Sequence, residues 1–208
     1  MERDNNKRAK QEPLSSNVRV AAHPVIQYKL SQLRKPQTGA KSFRELLSEI
    51  TLFLGFQATE DLVDVSRQVS FVPIMRSGLG LVDAMLTIAP MAVVHHIGMY
   101  NNPESLLPVL YYNKLPSTCT SDVVLVLDVQ IGSGGTLIAT VDIIKEWIGQ
   151  REVQIKVVSL VASKQGLGAF HKAHPEVVVH LAAVDDSGES GLPVPGLGDP
   201  GNRMFNAE

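Results

Sequence analysis

Residues 123–136 read Val123-Val-Leu-Val-Leu-Asp-Val-Gln-Ile-Gly-Ser-Gly-Gly-Thr136, and their reading decides the fold. Val123–Leu127 is an unbroken run of valine and leucine, the composition of a strand buried on both faces. Asp128 follows it, then a turn rich in small residues, then a helical pattern over Thr136–Ile148. Open α/β sheets bind ligands at the carboxyl ends of such strands. Glycine lets the backbone approach a phosphate closely. The N–H groups of Ser133, Gly134, Gly135 and Thr136 open the helix without helical acceptors, and the helix dipole favours an anion there. The hydroxyls of Ser133 and Thr136 offer two more donors. Asp128 would repel a phosphate but suits sugar hydroxyls. The plainer reading is a tight strand–helix connection that binds nothing. Two other phosphate motifs are excluded. Thr136-Leu137 follows Gly135 where a P-loop needs Gly-Lys-Ser/Thr, and Leu137 stands at the last glycine of Gly-x-Gly-x-x-Gly.

Outward from this stretch, strands and helices alternate. Downstream, Gly149 is a helix cap, Ile155–Val161 a strand, Lys164–Ala173 a helix and Val177–Ala183 a strand. Upstream, Val69–Ile74 is a strand, Met75–Gly78 a turn and Leu79–Ala89 a helix; Met91–Ile97 and Leu110–Tyr112 are further strands. The alternation predicts an α/β fold, a parallel sheet flanked by helices. Two helices precede it. Pro24 starts the first, with Val25, Ile26, Leu30 and Leu33 on one face up to Arg34. Pro36–Gly39 breaks it, and Phe43, Leu46, Leu47, Ile50 and Leu54 line the second. Gly191–Glu208 carries no helix or strand period and reads as an ordered loop. Residues 1–17 are polar and of mixed charge, the pattern of a disordered tail; Lys7-Arg8-Ala9-Lys10 is a weak targeting patch or simply part of it. Residues 18–208 form a single domain.

Composition narrows the function. The 208 residues are 44% hydrophobic and 19% charged with a net charge of −2, a globular balance without the basic excess of a general nucleic-acid binder. A single cysteine, Cys119, forms no internal disulfide. The longest apolar runs are five or six residues, too short to span a membrane, and the first residues lack a secretory signal. A cytoplasmic location is expected. Other candidates have plain readings. His95-His96 lie late in a strand, one ring facing in and the other out, so a joint metal site is not expected. His171 and His174 are surface histidines, and no metal-ligand set is expected. Asp185-Asp186 with Glu189 forms a solvated acidic loop rather than a cation site. Met75, Met85, Met91 and Met99 fill core or lining, and Trp147 packs at a helix end.

Asp128–Thr136 resembles the phosphoribosyl-diphosphate (PRPP) motif of the phosphoribosyltransferases. Five further segments resemble the uracil phosphoribosyltransferases. His23-Pro-Val-Ile-Gln-Tyr-Lys-Leu30 and Lys41-Ser-Phe-Arg-Glu-Leu-Leu47 are similar to their first helices, and Val72-Pro-Ile-Met-Arg-Ser-Gly-Leu-Gly80 to their diphosphate loop. Glu104-Ser-Leu-Leu-Pro-Val-Leu-Tyr-Tyr112 with Lys114-Leu-Pro is similar to their arm, and Val194-Pro-Gly-Leu-Gly-Asp199 to their uracil loop. The resemblance covers residues 23–205 in order. It implies the phosphoribosyltransferase-type sheet with an N-terminal helical segment and a C-terminal base-binding loop, and transfer of phosphoribose from PRPP to uracil, giving UMP and diphosphate. Arg76 would hold the diphosphate and Asp128 the ribose hydroxyls. Residues 132–136 would hold the 5′-phosphate, with Asn101, Val129, Gln130 and Ile131 completing the PRPP site. Pro193, Gly198, Asp199 and Pro200 would meet uracil, with Arg76, Asp128 and Asp199 in catalytic roles. Mg²⁺ would arrive mainly on PRPP oxygens. A homodimer or homotetramer is implied, with no nucleic-acid or membrane partner.

The chain departs from that family's pattern within the site. Asn101 stands in place of an arginine that contacts PRPP, a loss of roughly 1.5–3 kcal/mol, or about ten- to a hundredfold in rate. Lys114 or Arg67 are candidate substitutes. Leu192-Pro193 replaces Tyr-Ile, Pro200 an alanine and Asn202 an aspartate; Val129, Gly132 and Ser133 replace Pro, Ala and Thr. A proline has no N–H, so any donor used at 193 or 200 is gone. The segment Asp61–Ser70 is short. Two readings result: a working enzyme, or a catalytically weak PRPP-binding homologue acting as a sensor or regulatory subunit. A changed base preference is a third.

Overall fold

In a computed structural model, which describes residues 15–62, 64, 66–102, 105, 107–188 and 191–207, Val123–Leu127 is a strand with every residue buried. In chain order the elements are β1 (Val18–Val20), α1 (Pro24–Leu33), α2 (Ala40–Ala58), β2 (Val69–Met75), α3 (Leu79–Ile88), β3 (Val93–Val94), β4 (Ile97–Asn101) and β5 (Pro108–Asn113). After these come β6 (Val123–Leu127), β7 (Gln130–Ile131), α4 (Gly135–Ile148), β8 (Gln154–Ser163), α5 (Lys164–Ala173), β9 (Val178–Ser187), β10 (Pro193–Val194) and α6 (Pro200–Phe205). The sheet order is β1-β9-β8-β6-β2-β4-β5. All neighbours on this path are parallel except β4 and β5, which form an antiparallel edge. No described helix is long and apolar enough to cross a membrane.

The run in β6 is continuous because both of its faces are covered. Val123, Leu125 and Leu127 enter the core beneath α1, α2 and α3, while Val124 and Val126 enter the core beneath α4 and α5. β2 and β6 are in register from Val69↔Val123 to Pro73↔Leu127. Asp128 therefore emerges at the same edge as Arg76 and Ser77. β4 adds Asn101 to that edge, three residues past the Met75↔Gly98 pair.

Several elements differ from the sequence expectations. The expected strand Met91–Ile97 is divided into β3 and β4, and Met91 is almost wholly exposed. The cause is Pro73. The Phe71 carbonyl accepts from His95 N–H, and Pro73, two residues on and facing the same neighbour, has no N–H to continue the ladder. Gly191–Glu208 is not loop throughout, since β10 and α6 form within it. β1 pairs with β9, and Asn17 Nδ2 donates to the Pro175 carbonyl, so order begins before residue 18. The rest of the expected tail, with Lys7–Lys10, lies outside the described residues, as does Glu189. Val25 is exposed; Ile26, Leu30 and Leu33 are the buried face of α1.

Partners far apart in sequence account for the polar surprises. Asp185 is buried in a bidentate pair with Arg34, at 2.7 Å to each oxygen, and is not a solvated loop residue. Asp186 pairs with Lys164. His174 is buried, with Lys145 Nζ 2.8 Å from its Nδ1, and is not a surface histidine. His95 and His96 are both half-buried, and His95 meets the edge of Trp147. Lys156, buried in β8, donates to the Ala58 carbonyl at 2.7 Å and to Asp61, closing the end of α2. His180 on β9 is fully buried, and among the described residues neither ring nitrogen has a hydrogen-bond partner. Burial first, then the charges of Lys156 and Arg19, push its pKa down to about 4, with Asp61 opposing.

Candidate active site

A cleft of about 550 Å³ opens at the carboxyl edge of β2, β4 and β6. Arg76, Asn101, Asp128, Gln130, Ile131, Gly132, Ser133, Gly134, Thr136, Gly198, Asp199 and Pro200 all line it. Val129 does not: its side chain is in the core and only its N–H faces the site, donating to Asp128 at 2.8 Å. Pro193 is buried in β10, and Gly135 is the first residue of α4 just behind the lining. Leu192, at the altered uracil loop, also lines it, and lining residues that the sequence did not single out include Ser77, Tyr100 and Tyr111.

The glycine turn is shaped by contact with α5. Gly134 has φ +88°, and a Cβ there would lie 2.7 Å from the Gly166 carbonyl oxygen. A Cβ on Gly166 would lie 1.9 Å from the Gly132 carbonyl oxygen. Ser163 Oγ, the cap of α5, also donates to that carbonyl at 2.8 Å. The first bond from the helix back into the turn runs from Ile138 N–H to the Gly134 carbonyl. The α4 terminus has no side-chain cap, so the preceding N–H groups of the helix start remain available for an anion. Thr136 Oγ1 donates to Asn101 Oδ1 at 3.1 Å, linking the turn to β4.

Asp128 is nearly fully buried. One carboxylate oxygen accepts from Ser77 Oγ and from Val129 N–H, both at 2.8 Å. Burial pushes its pKa up to about 6, against the lowering effect of the bonds from Ser77 and the Val129 and Gln130 backbone. Arg76 Nη2 donates to Asn202 Oδ1 at 2.8 Å. Arg76 is the one Lys or Arg among the described lining residues. Lys114 and Arg67 are no substitutes for a cation at 101. Lys114 N–H bonds the His96 carbonyl at the other end of β4, and Arg67 reaches Asp122 and Gln154.

The C-terminal loop closes the cleft. Asp199 caps α6, accepting from Asn202 N–H at 2.8 Å, and Pro200 is the first helical residue. A proline at that position gives up an N–H that the helix leaves unpaired in any case, so the departure at 200 costs the fold nothing. Among the described residues no three of His, Cys, Asp and Glu gather as a metal site. Among the described lining residues, Asp128 and Asp199 are the carboxylates.

Residues 63–207 match the family model described as uracil phosphoribosyltransferase. A Roseiflexus protein named uracil phosphoribosyltransferase is 42% identical over 207 positions, covering 91% of this chain and 98% of its own length. The chain belongs to the uracil phosphoribosyltransferase family. A second relative of that name, from Thermoanaerobacter, is 40% identical over 92% of this chain and 99% of its own length. The Roseiflexus alignment has more positions than the chain residues it uses, so this member of the family is the shorter of the two within the match. A solved structure from Aquifex aeolicus superposes with a TM-score of 0.83 at 28% identity, over 90% of this chain and 97% of that one. A hypoxanthine phosphoribosyltransferase from Staphylococcus aureus shares the fold, with a TM-score of 0.51 at 13% identity over 72% of this chain and 79% of its own. None of these relatives favours the regulatory-subunit reading.

Proposed function

We propose that this protein transfers the phosphoribosyl group of PRPP to uracil, giving UMP and diphosphate, with the cleft residues in the following roles. The single observation that carries the reading is the uncapped α4 terminus facing the same cleft as buried Asp128 and cationic Arg76. The 5′-phosphate sits on the N–H groups and hydroxyls of 132–136. Ionised Asp128 accepts from the ribose hydroxyls and fixes the sugar. Arg76 meets the diphosphate as its bond to the anomeric carbon breaks and negative charge grows on it. Gly198 and Asp199 bound the end where the uracil nitrogen forms the new bond. Catalysis of this kind is positioning plus electrostatic stabilisation. Asp128 and Asp199, hard oxygen donors at the cleft, fit a Mg²⁺ held mainly by PRPP oxygens; it would supply positive charge beside the leaving diphosphate. A homo-oligomer, dimer or tetramer, is part of the reading. It is supported by the exposed Tyr28 and Phe56 and is checked by light scattering.

The test pairs two measurements on the purified protein: PRPP binding by calorimetry with Mg²⁺, and UMP formation from labelled uracil. Binding with turnover is the expected result. Binding without turnover would overturn the enzyme reading and favour the sensor. No binding would remove the phosphate role of 132–136.

A further inference from the structure

Gln130 entered the site as a member of the PRPP motif, but its side chain is committed elsewhere. The backbone of 196–198 is held from several directions. Gly196 N–H donates to Asp185 Oδ2, and its carbonyl accepts from Arg34 Nη1, both at 3.0 Å. The Leu197 carbonyl accepts from Arg203 Nη1 at 2.8 Å. Of the groups that remain, the Leu197 N–H and the Gly198 carbonyl are both taken by one side chain. Leu197 N–H donates to Gln130 Oε1 at 2.8 Å, and Gln130 Nε2 donates to the Gly198 carbonyl at 3.1 Å.

A primary amide carries an acceptor and donors a fixed distance apart, which matches an N–H and a C=O on adjacent residues. The amide is itself rigidly mounted. Gln130 and Ile131 form β7, paired with Val161 and Ala162 of β8. The next residue, Gly132, is fixed by Ser163. The Leu197 side chain is buried in the core, so the loop end of the clamp is anchored as well. Gly198 and Asp199 line the cleft directly after the clamped atoms.

We propose that Gln130 is a positioning residue for the base: it sets the 197–199 loop against the phosphate turn and is not itself a PRPP ligand. The inference rests on the proposed uracil reaction. It makes the strand that carries the turn the ruler for the loop, so sugar-phosphate and base are placed from one rigid element.

The test uses Gln130→Met, similar in length but unable to make either bond, and Gln130→Asn, polar but too short to reach both groups. Loss of two neutral hydrogen bonds predicts a KM for uracil about tenfold higher in Gln130→Met, and a smaller rise in Gln130→Asn. The PRPP Kd with Mg²⁺ should stay within about twofold of wild type, which also reports a folded site. An unchanged uracil KM in both variants overturns the proposal. So does a weakened PRPP Kd with unchanged uracil KM, which would return Gln130 to the phosphates. Amide exchange at Leu197 reads the clamp without turnover: about tenfold faster exchange in Gln130→Met supports it, and equal rates overturn it. Wild type that makes no UMP while the exchange difference persists would sink the uracil reaction and leave the clamp standing.

Discussion

The glycine turn and the β4–β5 arm face each other across one cleft, and they are built in opposite ways. The turn is set by the core: Gly134 and Gly166 bring two backbones into contact, Ser163 holds the Gly132 carbonyl, and β6 behind it is buried throughout. The arm is set by its own hairpin. Tyr100, Leu107, Leu110, Tyr111 and Tyr112 are exposed, and Thr136–Asn101 is the side-chain bond from its end to the turn. The difference teaches where a site can change. A turn wedged between two elements keeps its shape through small substitutions such as Val129 and Ser133. An edge hairpin can exchange a charged residue for Asn101 at little cost to the fold, because that position is exposed.

The harshest way to break this contrast is Gly166→Ala. Its Cβ would meet the Gly132 carbonyl oxygen at 1.9 Å, and that oxygen is backbone, with no flexible side chain to give way. Overpacking of this kind costs about 1–3 kcal/mol, so PRPP affinity should fall by up to about a hundredfold and the melting temperature should drop. Calorimetry and thermal melts check both; unchanged affinity would mean that the turn is not set by α5. Asn101→Arg tests the arm from the other side. Restoring a charge-assisted bond should raise kcat/KM for PRPP by about tenfold or more with little change in stability. A folded variant with no gain would mean that the arm does not reach the diphosphate.

The next effect is one of pH. With Asp128 titrating at about 6, kcat/KM should fall on the acid side of that value, because protonation turns one carboxylate oxygen into a donor and leaves the other a weaker, uncharged acceptor. Ser77→Ala removes a bond to the ionised form, so the acid limb should move to higher pH; a limb that stays in place would separate Ser77 from the carboxylate's titration. The smallest effect is expected for Asn202→Asp. A carboxylate would pair with exposed Arg76 and offset its charge, weakening diphosphate binding by about threefold. Equal affinities would show that Arg76 leaves Asn202 when the ligand binds.

The sequence was legible where structure is long or covalently marked. β6 and α5 fall on the expected residues because one is an unbroken apolar run and the other follows a cap serine. β1, β7, β10 and α6, at two to six residues, are too short to show a period, and their pairing is tertiary. The gap at Pro73 was visible as a proline, yet its effect on β3 and β4 needed the neighbouring strand. In the site, the turn, Arg76, Asp128 and Asp199 were readable as motif residues. Ser77, the Arg34–Asp185 pair and the true partner of Gln130 were not, since each joins residues distant in the chain.

The unpartnered His180 beside Lys156 has a consequence in proton linkage. Its pKa of about 4 lies below the ordinary 6.5, so the unfolded chain binds its proton more readily and stability drains away as pH falls from 6.5 to 4. That is on the order of 3 kcal/mol, at ~1.4 kcal/mol per unit. Asp128 has the opposite sign. Its pKa is raised to about 6, so the folded state takes up the proton first and gains stability as pH falls from 6 toward 4. Over that window the two slopes oppose each other. Acid therefore protonates the Asp128 carboxylate while this pair leaves the fold's free energy nearly level. Asp128→Asn should expose the hidden slope as a melting temperature that falls more steeply with acid than in wild type. Parallel curves for the two proteins would dissolve the pairing.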